Sequence, residues 1–236
     1  MRVMALDTTS RAGSVALVDD GGIVDERTGD ASRTHGERLP GELAALGVDW
    51  LSVDVFAVCA GPGSFTGLRI GIATIQGLAF VAKRPVVGIS ALEAVAQLAG
   101  RDRADGDTIA AWIDAQRGEV FSALYRVANA AVFAPERLVE VEPPSVASPS
   151  ATLAAWSRHG WRSAKFAGDG AVRYAAALPA GGAIMQVARL APLAGAVGLM
   201  AAVRAARGEA GPPDAVRPLY IRRPDAELQR QRQAVP

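Results

Sequence analysis

The sequence predicts an α/β protein built from two related lobes, and three observations support this. Residues 2–7 form a short apolar strand that ends in Asp7 and a turn, after which a second strand follows. Residues 108–125 repeat that order, with Asp114 in the corresponding position. In each half, runs with helical spacing of apolar residues separate short β-rich runs, which is typical of mixed sheets flanked by helices. We therefore expect an internal structural duplication.

The first lobe is expected to span residues 1–103 and to open with a three-stranded antiparallel meander. The sequence DDGG at 19–22 favours a hairpin turn, because these residues tolerate positive φ. Ser90 and Glu93 are spaced as a capping box, and Gly100 is placed to end the helix that they begin. The predicted elements are strands at 2–7, 14–18 and 23–27, a helix at 34–46, a strand at 53–58, a helix at 66–83, a strand at 86–89 and a helix from 90 to about 98.

The second lobe is expected to span residues 104–222, with the boundary falling in 100–106. Its predicted elements are strands at 108–114 and 119–125, a third strand beginning at 131–133, a helix at 152–159, a strand at 163–167, a turn at 168–170 and an extended piece at 218–222. Pro192 occupies a position typical of the first turn of a helix. The sequence leaves open whether helix 192–208 returns to complete the first lobe. Residues 223–236 are polar without apolar periodicity, which predicts a flexible tail.

Composition excludes several classes of protein. The chain has 236 residues with 25 basic and 24 acidic side chains, a balance that argues against coating nucleic acid by bulk charge. The single cysteine, Cys59, cannot form an internal disulfide, which fits a reducing cytoplasm. The longest apolar run, 68–81, is shorter than the roughly 20 residues that a membrane-spanning helix needs. We therefore expect a cytoplasmic protein with no membrane partner.

The residues give weak support for catalysis. The Gly-rich turn at 61–67 lacks the lysine of a Walker loop and the spacing of a dinucleotide fingerprint. His35 and His159 are far apart in sequence and no metallopeptidase motif contains them, so no metal site is predicted. Asp7, Asp114 and Asp169 are the best acid candidates for a cofactor site, since each follows a strand at a turn. The favoured alternative is that each carboxylate holds the amides of its own turn.

The helix predicted at 66–83 contains an unusual set of small residues. Gly71 and Gly77 lie inside it, where each glycine costs roughly 1 kcal/mol relative to alanine. Gly67 and Gly71 are one turn apart, as are Ala73 and Gly77, and such pairs let another element approach closely. Large apolar residues occupy most of the remaining circumference, so the helix must be covered on nearly every side. Either another helix of the chain, with 34–46 the obvious candidate, or a partner protein could cover it.

Seven segments carry a resemblance to a known family. They are ALDTTS at 5–10, GSVAL at 13–17, HGERLP at 35–40, GPGSFTGLRIG at 61–71, QGLA at 76–79, IDAQRGEV at 113–120 and PLYIR at 218–222. In these segments the chain resembles the TsaB (YeaZ-type) family, whose members take part in bacterial synthesis of threonylcarbamoyladenosine in tRNA. The resemblance implies an actin/Hsp70-like ATPase fold of two ribonuclease-H-like lobes. The family is often labelled a glycoprotease or peptidase M22, a name for which the residues give no chemical reason.

The resemblance also implies partners and a division of labour. A related TsaD subunit would carry the metal and nucleotide site and transfer the threonylcarbamoyl group, and a third protein, TsaE, would be an ATPase. This chain lacks the paired metal-binding histidines of TsaD, so we expect it to have no catalytic residue, cofactor or metal of its own. Family members pair through helices of the first lobe, with TsaD or with a second copy. The implied interface residues are His35, Leu39, Leu43, Gly67, Arg69, Ile70, Gly71, Ala73, Thr74 and Gly77.

Three alternatives stay open at this point. A stand-alone ATPase or sugar-kinase-like enzyme would use Asp7, Asp114 and the loop around Asp169, although ALDTTS lacks the glycine expected after the acid. A metallopeptidase is the least favoured. The third open question is whether the chain contacts tRNA, and only indirect or weak contact is expected. The C-terminal arginines either touch tRNA or form a solvated basic tail; they are Arg217, Arg222, Arg223, Arg230 and Arg232.

Overall fold

A computed structural model describes residues 1–158, 161–178 and 192–222 of the chain. The strands are β1 (Arg2–Asp7), β2 (Ser14–Asp19), β3 (Gly22–Thr28), β4 (Val55–Gly61), β5 (Val86–Ser90), β6 (Thr108–Asp114), β7 (Val120–Val127), β8 (Leu138–Ala147) and β9 (Lys165–Ala167). The helices are α1 (His35–Ala45), α2 (Phe65–Ala82), α3 (Ala91–Ala99), α4 (Pro149–Ala155), α5 (Asp169–Arg173) and α6 (Leu193–Ala206). These elements confirm the predicted α/β class with two mixed sheets.

The first sheet has the strand order β3-β2-β1-β4-β5. Its first three strands form the predicted antiparallel meander, and β4 and β5 continue it in parallel from β1. Side chains alternate between its two faces, as the pleat of a strand requires. One face carries Met4 and Phe56 and is covered by α1 and α2. The opposite face carries Ala5 and Ala57 and is covered by α3 and α6.

Helices α3 and α6 lie between the two sheets. Helix α6 packs against β1, β2 and β4, so the last helix does return to the first sheet. Ser90 accepts the backbone N–H of Glu93 at 3.4 Å, as the predicted cap requires. The carboxylate of Glu93 instead forms an ion pair with Arg204 of α6 at 2.7 Å, which joins the two helices. One apolar core runs from the first sheet through α3 and α6 to the second. The division of the chain at residue 103 therefore stays a prediction.

The second sheet has the order β8-β7-β6-β9, in which β6 and β7 repeat the arrangement of β1 and β2. The prediction of a third strand at 131–133 is wrong. Phe133 has a φ of 67° in a turn, where its N–H donates to the side chain of Gln97 at 3.0 Å. The third strand is β8, which the sequence did not predict because it contains Pro143 and Pro144. Both prolines are tolerated because β8 lies at the edge of the sheet.

Three smaller boundaries also differ from the sequence prediction. Helix α4 begins at Pro149 because Ser148 caps it, and the predicted end at His159 lies outside the described residues. The predicted turn at 168–170 is the start of α5. Pro192 precedes the first residue of α6 and does not lie in its first turn. The predicted tail, 223–236, also lies outside the described residues.

Candidate protein-docking face

Helix α2 has one side buried on the first sheet and the other side exposed and largely apolar. Its inner side includes Ile72 and Ile75, which join the core beneath the sheet. On its outer side Arg69, Ala73 and Gly77 are exposed at successive turns. The same side ends in Phe80 and Val81, which are 77% and 75% exposed, and the other exposed residues of α2 are Phe65 and Thr66. Such an exposed apolar stripe is typical of a surface that another protein covers.

Contacts within the chain itself explain why two positions of α2 are glycine. A Cβ atom at Gly67 would lie 2.1 Å from the carbonyl oxygen of Thr8, and one at Gly71 would lie 2.1 Å from the Thr8 hydroxyl. That hydroxyl donates a hydrogen bond of 2.7 Å to the carbonyl oxygen of Gly67. The close approach expected from the sequence is therefore made chiefly by the turn after β1. Of the two predicted alternatives, α1 contributes one contact, since His35 Nε2 would lie 3.3 Å from a Cβ at Gly67. Gly77 differs, because a Cβ there would meet no atom within 4 Å.

Helix α1 turns its large residues inward and its small residues outward. Leu39 and Leu43 are buried in the core shared with α2. Five of the exposed residues of α1 are small or compact, namely Gly36, Pro40, Gly41, Ala44 and Ala45, and the sixth is the acidic Glu37 in its first turn. Because α1 and α2 pack side by side on the same face of the first sheet, their outer sides point away from it together. We call the exposed residues of the two helices the docking face.

The ten predicted interface residues fall into three groups. Leu39, Leu43, Gly67 and Gly71 are buried by the chain itself. His35, Ile70 and Thr74 are half-buried, and Arg69, Ala73 and Gly77 are exposed on the docking face. Sequence reasoning missed a set of exposed large side chains near both ends of α2: Phe65, Val81, Leu219 and Tyr220. The sequence could have predicted that Val81 is exposed, because apolar residues occupy all sides of α2 and the sheet can cover only one of them.

His35 anchors the start of α1 to the turn after β1. Its Nε2 donates to the carbonyl oxygen of Ser10 at 3.1 Å, and its Nδ1 accepts from Arg38 at 2.7 Å. Burial and the adjacent Arg38 guanidinium lower the pKa of His35. Arg38, which is buried, also pairs with Glu42 at 2.5 Å and donates to the carbonyl oxygen of Ala12. The turn that covers Gly67 and Gly71 is thus held by α1 as well.

The three strand-end acids hold backbone and side-chain groups nearby. Asp7 accepts the N–H and the hydroxyl of Thr9 at 2.8 and 2.6 Å. Asp114 accepts the N–H of Gln116 at 3.0 Å, together with contacts from Arg173 and Tyr174 at 3.1 Å each. Burial raises the pKa of Asp7, and burial is also the main cause that raises the pKa of Asp169.

Asp169 completes this arrangement. It accepts the N–H groups of Asp114 and Gly170 at 3.0 and 2.8 Å, so it links the end of β6 to the start of α5. The structure thus gives each acid a local partner, which is what the alternative of a turn-holding carboxylate requires. Asp7 and Asp169 each accept both of their bonds through Oδ1.

The turns that could cradle a phosphate donate to other groups of the chain. The N–H of Ser64 donates to the carbonyl oxygen of Thr9 at 2.8 Å, and that of Gly67 donates to the Ser64 hydroxyl at 3.2 Å. In the second lobe Arg222 donates to the carbonyl oxygen of Ala115 at 2.7 Å. Within the described ranges no group of three or more His, Cys, Asp or Glu side chains could hold a metal ion.

Replacing Asp7 with asparagine is expected to flatten the pH dependence of stability. Because burial raises the pKa of Asp7 in the fold, the free energy of unfolding falls as the pH rises from the ordinary value of 3.8 through the raised value. Asparagine keeps an oxygen for Thr9 but cannot ionise, so the variant gains stability over the wild type above that range. Urea unfolding of both proteins across mildly acidic and neutral pH measures the difference. If the free energies of unfolding of the two proteins changed with pH in parallel, burial of ionised Asp7 would not destabilise the fold.

Helix α2 is long and apolar enough to cross a membrane by length and composition alone. Its place in the fold gives another reason for that composition. The inner side contacts the first sheet and the turn after β1, and Gln76 donates from α2 to the carbonyl oxygen of Val216 at 3.3 Å.

Comparisons with known proteins place the chain in a family. Residues 14–229 match the family described as TsaD, tRNA N6-adenosine threonylcarbamoyltransferase. The chain is 41% identical over 130 residues to the tRNA threonylcarbamoyladenosine biosynthesis protein TsaB of Escherichia coli (strain K12), covering 53% of this chain and 55% of that protein. It is 31% identical over 133 residues to the Bacillus subtilis (strain 168) protein of the same name, covering 55% and 57%. The chain thus spans about half the length of the curated relatives it matches.

A solved structure extends the likeness over nearly the whole chain. It is described as an uncharacterized protein with similarity to peptidase YEAZ from Pseudomonas aeruginosa, and it aligns with a TM-score of 0.75 at 31% identity. The alignment covers 94% of this chain and 99% of that one, in agreement with the predicted two-lobe actin/Hsp70-like fold. The chain belongs to the family described as TsaD, tRNA N6-adenosine threonylcarbamoyltransferase, and is a TsaB/YeaZ-type member of it.

Proposed function

We propose that this chain serves in the biosynthesis of threonylcarbamoyladenosine in tRNA as a non-catalytic subunit that docks and activates a TsaD-like transferase. The observation that carries the proposal is the outer side of α2. It exposes Ala73 and Gly77 in its middle and the side chains of Phe80 and Val81 at its end. Small residues let a partner helix approach the backbone, and large apolar residues supply area to bury.

The size of the docking face suits a specific complex. A standard interface buries about 800 Å² on each partner, which two adjacent helices can supply. Both α1 and α2 are fixed to the sheet by buried leucines, isoleucines and the turn after β1, so the face is formed before the partner arrives. A preformed surface loses little conformational entropy on binding. The chain would therefore present a rigid platform to the transferase.

The local partners of the strand-end acids support a non-catalytic role. A working nucleotide site needs free carboxylate oxygens for a metal and free amides for phosphates. Here Asp7 and Asp169 bind neighbouring amides, and the Gly-rich turn before α2 donates to Thr9 and Ser64. ATP and the metal would belong to the TsaD-like and TsaE-like partners. Contact with tRNA would be indirect, and the complex would act in the cytoplasm.

A second copy of the chain could use the same docking face when the transferase is absent. The face is largely apolar, and its charged residues are one anion, Glu37 on α1, and one cation, Arg69 on α2, so two copies would not bring large like charges together. We propose that the homodimer and the complex with the transferase exclude each other. Adding the transferase should then convert any homodimer into a complex of one copy of this chain with the transferase.

Reconstitution with one component left out tests the proposed function. The TsaD-like transferase and TsaE-like ATPase of the same organism would be incubated with tRNA and the threonylcarbamoyl donor, with and without this chain. We expect modified adenosine only when all three proteins are present, and none from this chain alone. Equal product formation without this chain would contradict the proposal. Formation of product by this chain with the ATPase alone would contradict its non-catalytic part.

A further inference from the structure

An exposed arginine at the start of α2 is held in place by two aromatic rings. The guanidinium of Arg69 lies 4.0 Å from the centre of the Phe65 ring. Its Nε donates to the hydroxyl of Tyr220 at 3.1 Å, and the Tyr220 ring stacks on Phe65 with centroids 5.1 Å apart. Leu219 is exposed beside them. We call Phe65, Arg69, Leu219 and Tyr220 the aromatic–arginine cluster.

Within residues 1–158, 161–178 and 192–222, the charge of Arg69 has no acidic partner. The first turn of α2 contains no acidic residue. The contacts with Phe65 and Tyr220 use one face of the guanidinium and its Nε. Its two terminal nitrogens keep the planar fork with which arginine binds a carboxylate through two parallel hydrogen bonds. Holding the fork in advance lowers the entropy cost of binding.

We propose that the aromatic–arginine cluster is the anchor of the docking face and binds an acidic side chain, aspartate or glutamate, of the partner protein. This inference rests on the proposed function and adds the chemistry of the contact. Arg69 lies on the same exposed side of α2 as Ala73 and Gly77, one and two turns away. The cluster therefore continues the docking face at its N-terminal end. Tyrosine and arginine are the residue types over-represented among interface residues that dominate binding energy.

A partner carboxylate suits the cluster better than a tRNA phosphate. Binding of a polyanion relies on several cations together, each releasing counterions. The surroundings of Arg69 are instead apolar, with exposed parts of Phe65, Leu219 and Tyr220. The net charge of the chain is only +1. One preformed cation with apolar neighbours is the arrangement found at the centre of protein interfaces.

Titration calorimetry with the TsaD-like transferase of the same organism tests the anchor. The proteins compared are the wild type, Arg69→Ala, Arg69→Lys and Tyr220→Phe. Arg126→Ala is the matched control, because Arg126 is an exposed arginine on β7 of the second sheet. Thermal unfolding of each variant verifies that the fold is retained.

We expect Arg69→Ala to weaken binding about tenfold or more, as loss of an arginine that anchors an interface does. Arg69→Lys keeps the charge but loses the planar fork, so its affinity should fall between those of the wild type and Arg69→Ala. Tyr220→Phe removes the hydroxyl that positions Arg69 and should weaken binding by less than Arg69→Ala, about two- to fivefold. The wild-type affinity should decrease with salt, and Arg69→Ala should lose part of that dependence. Arg126→Ala should bind as the wild type does.

Three outcomes would overturn the inference in different ways. Folded Arg69→Ala that binds the transferase within about twofold of the wild type excludes Arg69 as an anchor, while the proposed function stands. If that variant also loses affinity for bulk tRNA, measured with the isolated chain, the cluster contacts RNA and not the partner protein. If the wild type fails to bind the transferase, the proposed function fails and the inference with it.

Discussion

Replacing Gly71 with alanine is expected to destabilise the protein by about 1–3 kcal/mol, although alanine is the better helix former. The added methyl group would lie 2.1 Å from the hydroxyl oxygen of Thr8. Thr8 cannot easily move away, because the same hydroxyl donates to the carbonyl oxygen of Gly67 and the turn is held by His35 and Arg38. Either the turn or α2 must shift. Urea unfolding measures the loss.

Gly77→Ala is the matched control in the same helix. No atom lies within 4 Å of a Cβ there, so the helix preference of alanine acts alone and should stabilise the fold by about 0.5–1 kcal/mol. The two substitutions are chemically identical, and opposite signs separate the packing contact from the helix propensity. If Gly71→Ala unfolded at the same urea concentration as Gly77→Ala, the close approach of Thr8 to α2 would be contradicted.

Local sequence signals predicted most of the first sheet and its helix ends. The hairpin at 19–22 and the cap at Ser90 depend on residues within a few positions, which periodicity and turn chemistry capture. Strand β8 was missed because its two prolines look like a turn and only its place at the sheet edge makes them acceptable. That place depends on the whole topology and cannot be read from a local window.

The docking face could be predicted only in outline. Small residues in α2 indicated a close neighbour, but the neighbour of Gly67 and Gly71 is Thr8, about 60 positions earlier. Local spacing gives no sign of such a contact. The helical spacing of Leu39 and Leu43 is the same whether they face a partner or the sheet. The structure shows that they face the sheet. The contact of Arg69 with Tyr220 joins residues 151 positions apart.

A bulky side chain on the outer side of α2 is expected to weaken the complex with the transferase at least tenfold. Ala73 and Gly77 are exposed in the isolated chain, so tryptophan at either position adds volume without entering the core. In a docked complex the same volume would separate the two helices over several contacts. Each tenfold loss of affinity equals about 1.4 kcal/mol. Position 71 is unsuitable for this test, because tryptophan there would collide with Thr8 and report on folding.

The most direct test compares two identical substitutions on two helices. Ala73 on α2 and Ala154 on α4 are both exposed alanines, and only Ala73 belongs to the docking face. Binding of each tryptophan variant to the TsaD-like transferase would be measured by titration calorimetry, after unfolding curves verify both folds. If the docking face binds the transferase, we expect Ala73→Trp to bind at least tenfold more weakly than the wild type and Ala154→Trp to bind as well as the wild type. Wild-type affinity in a folded Ala73→Trp variant would contradict it.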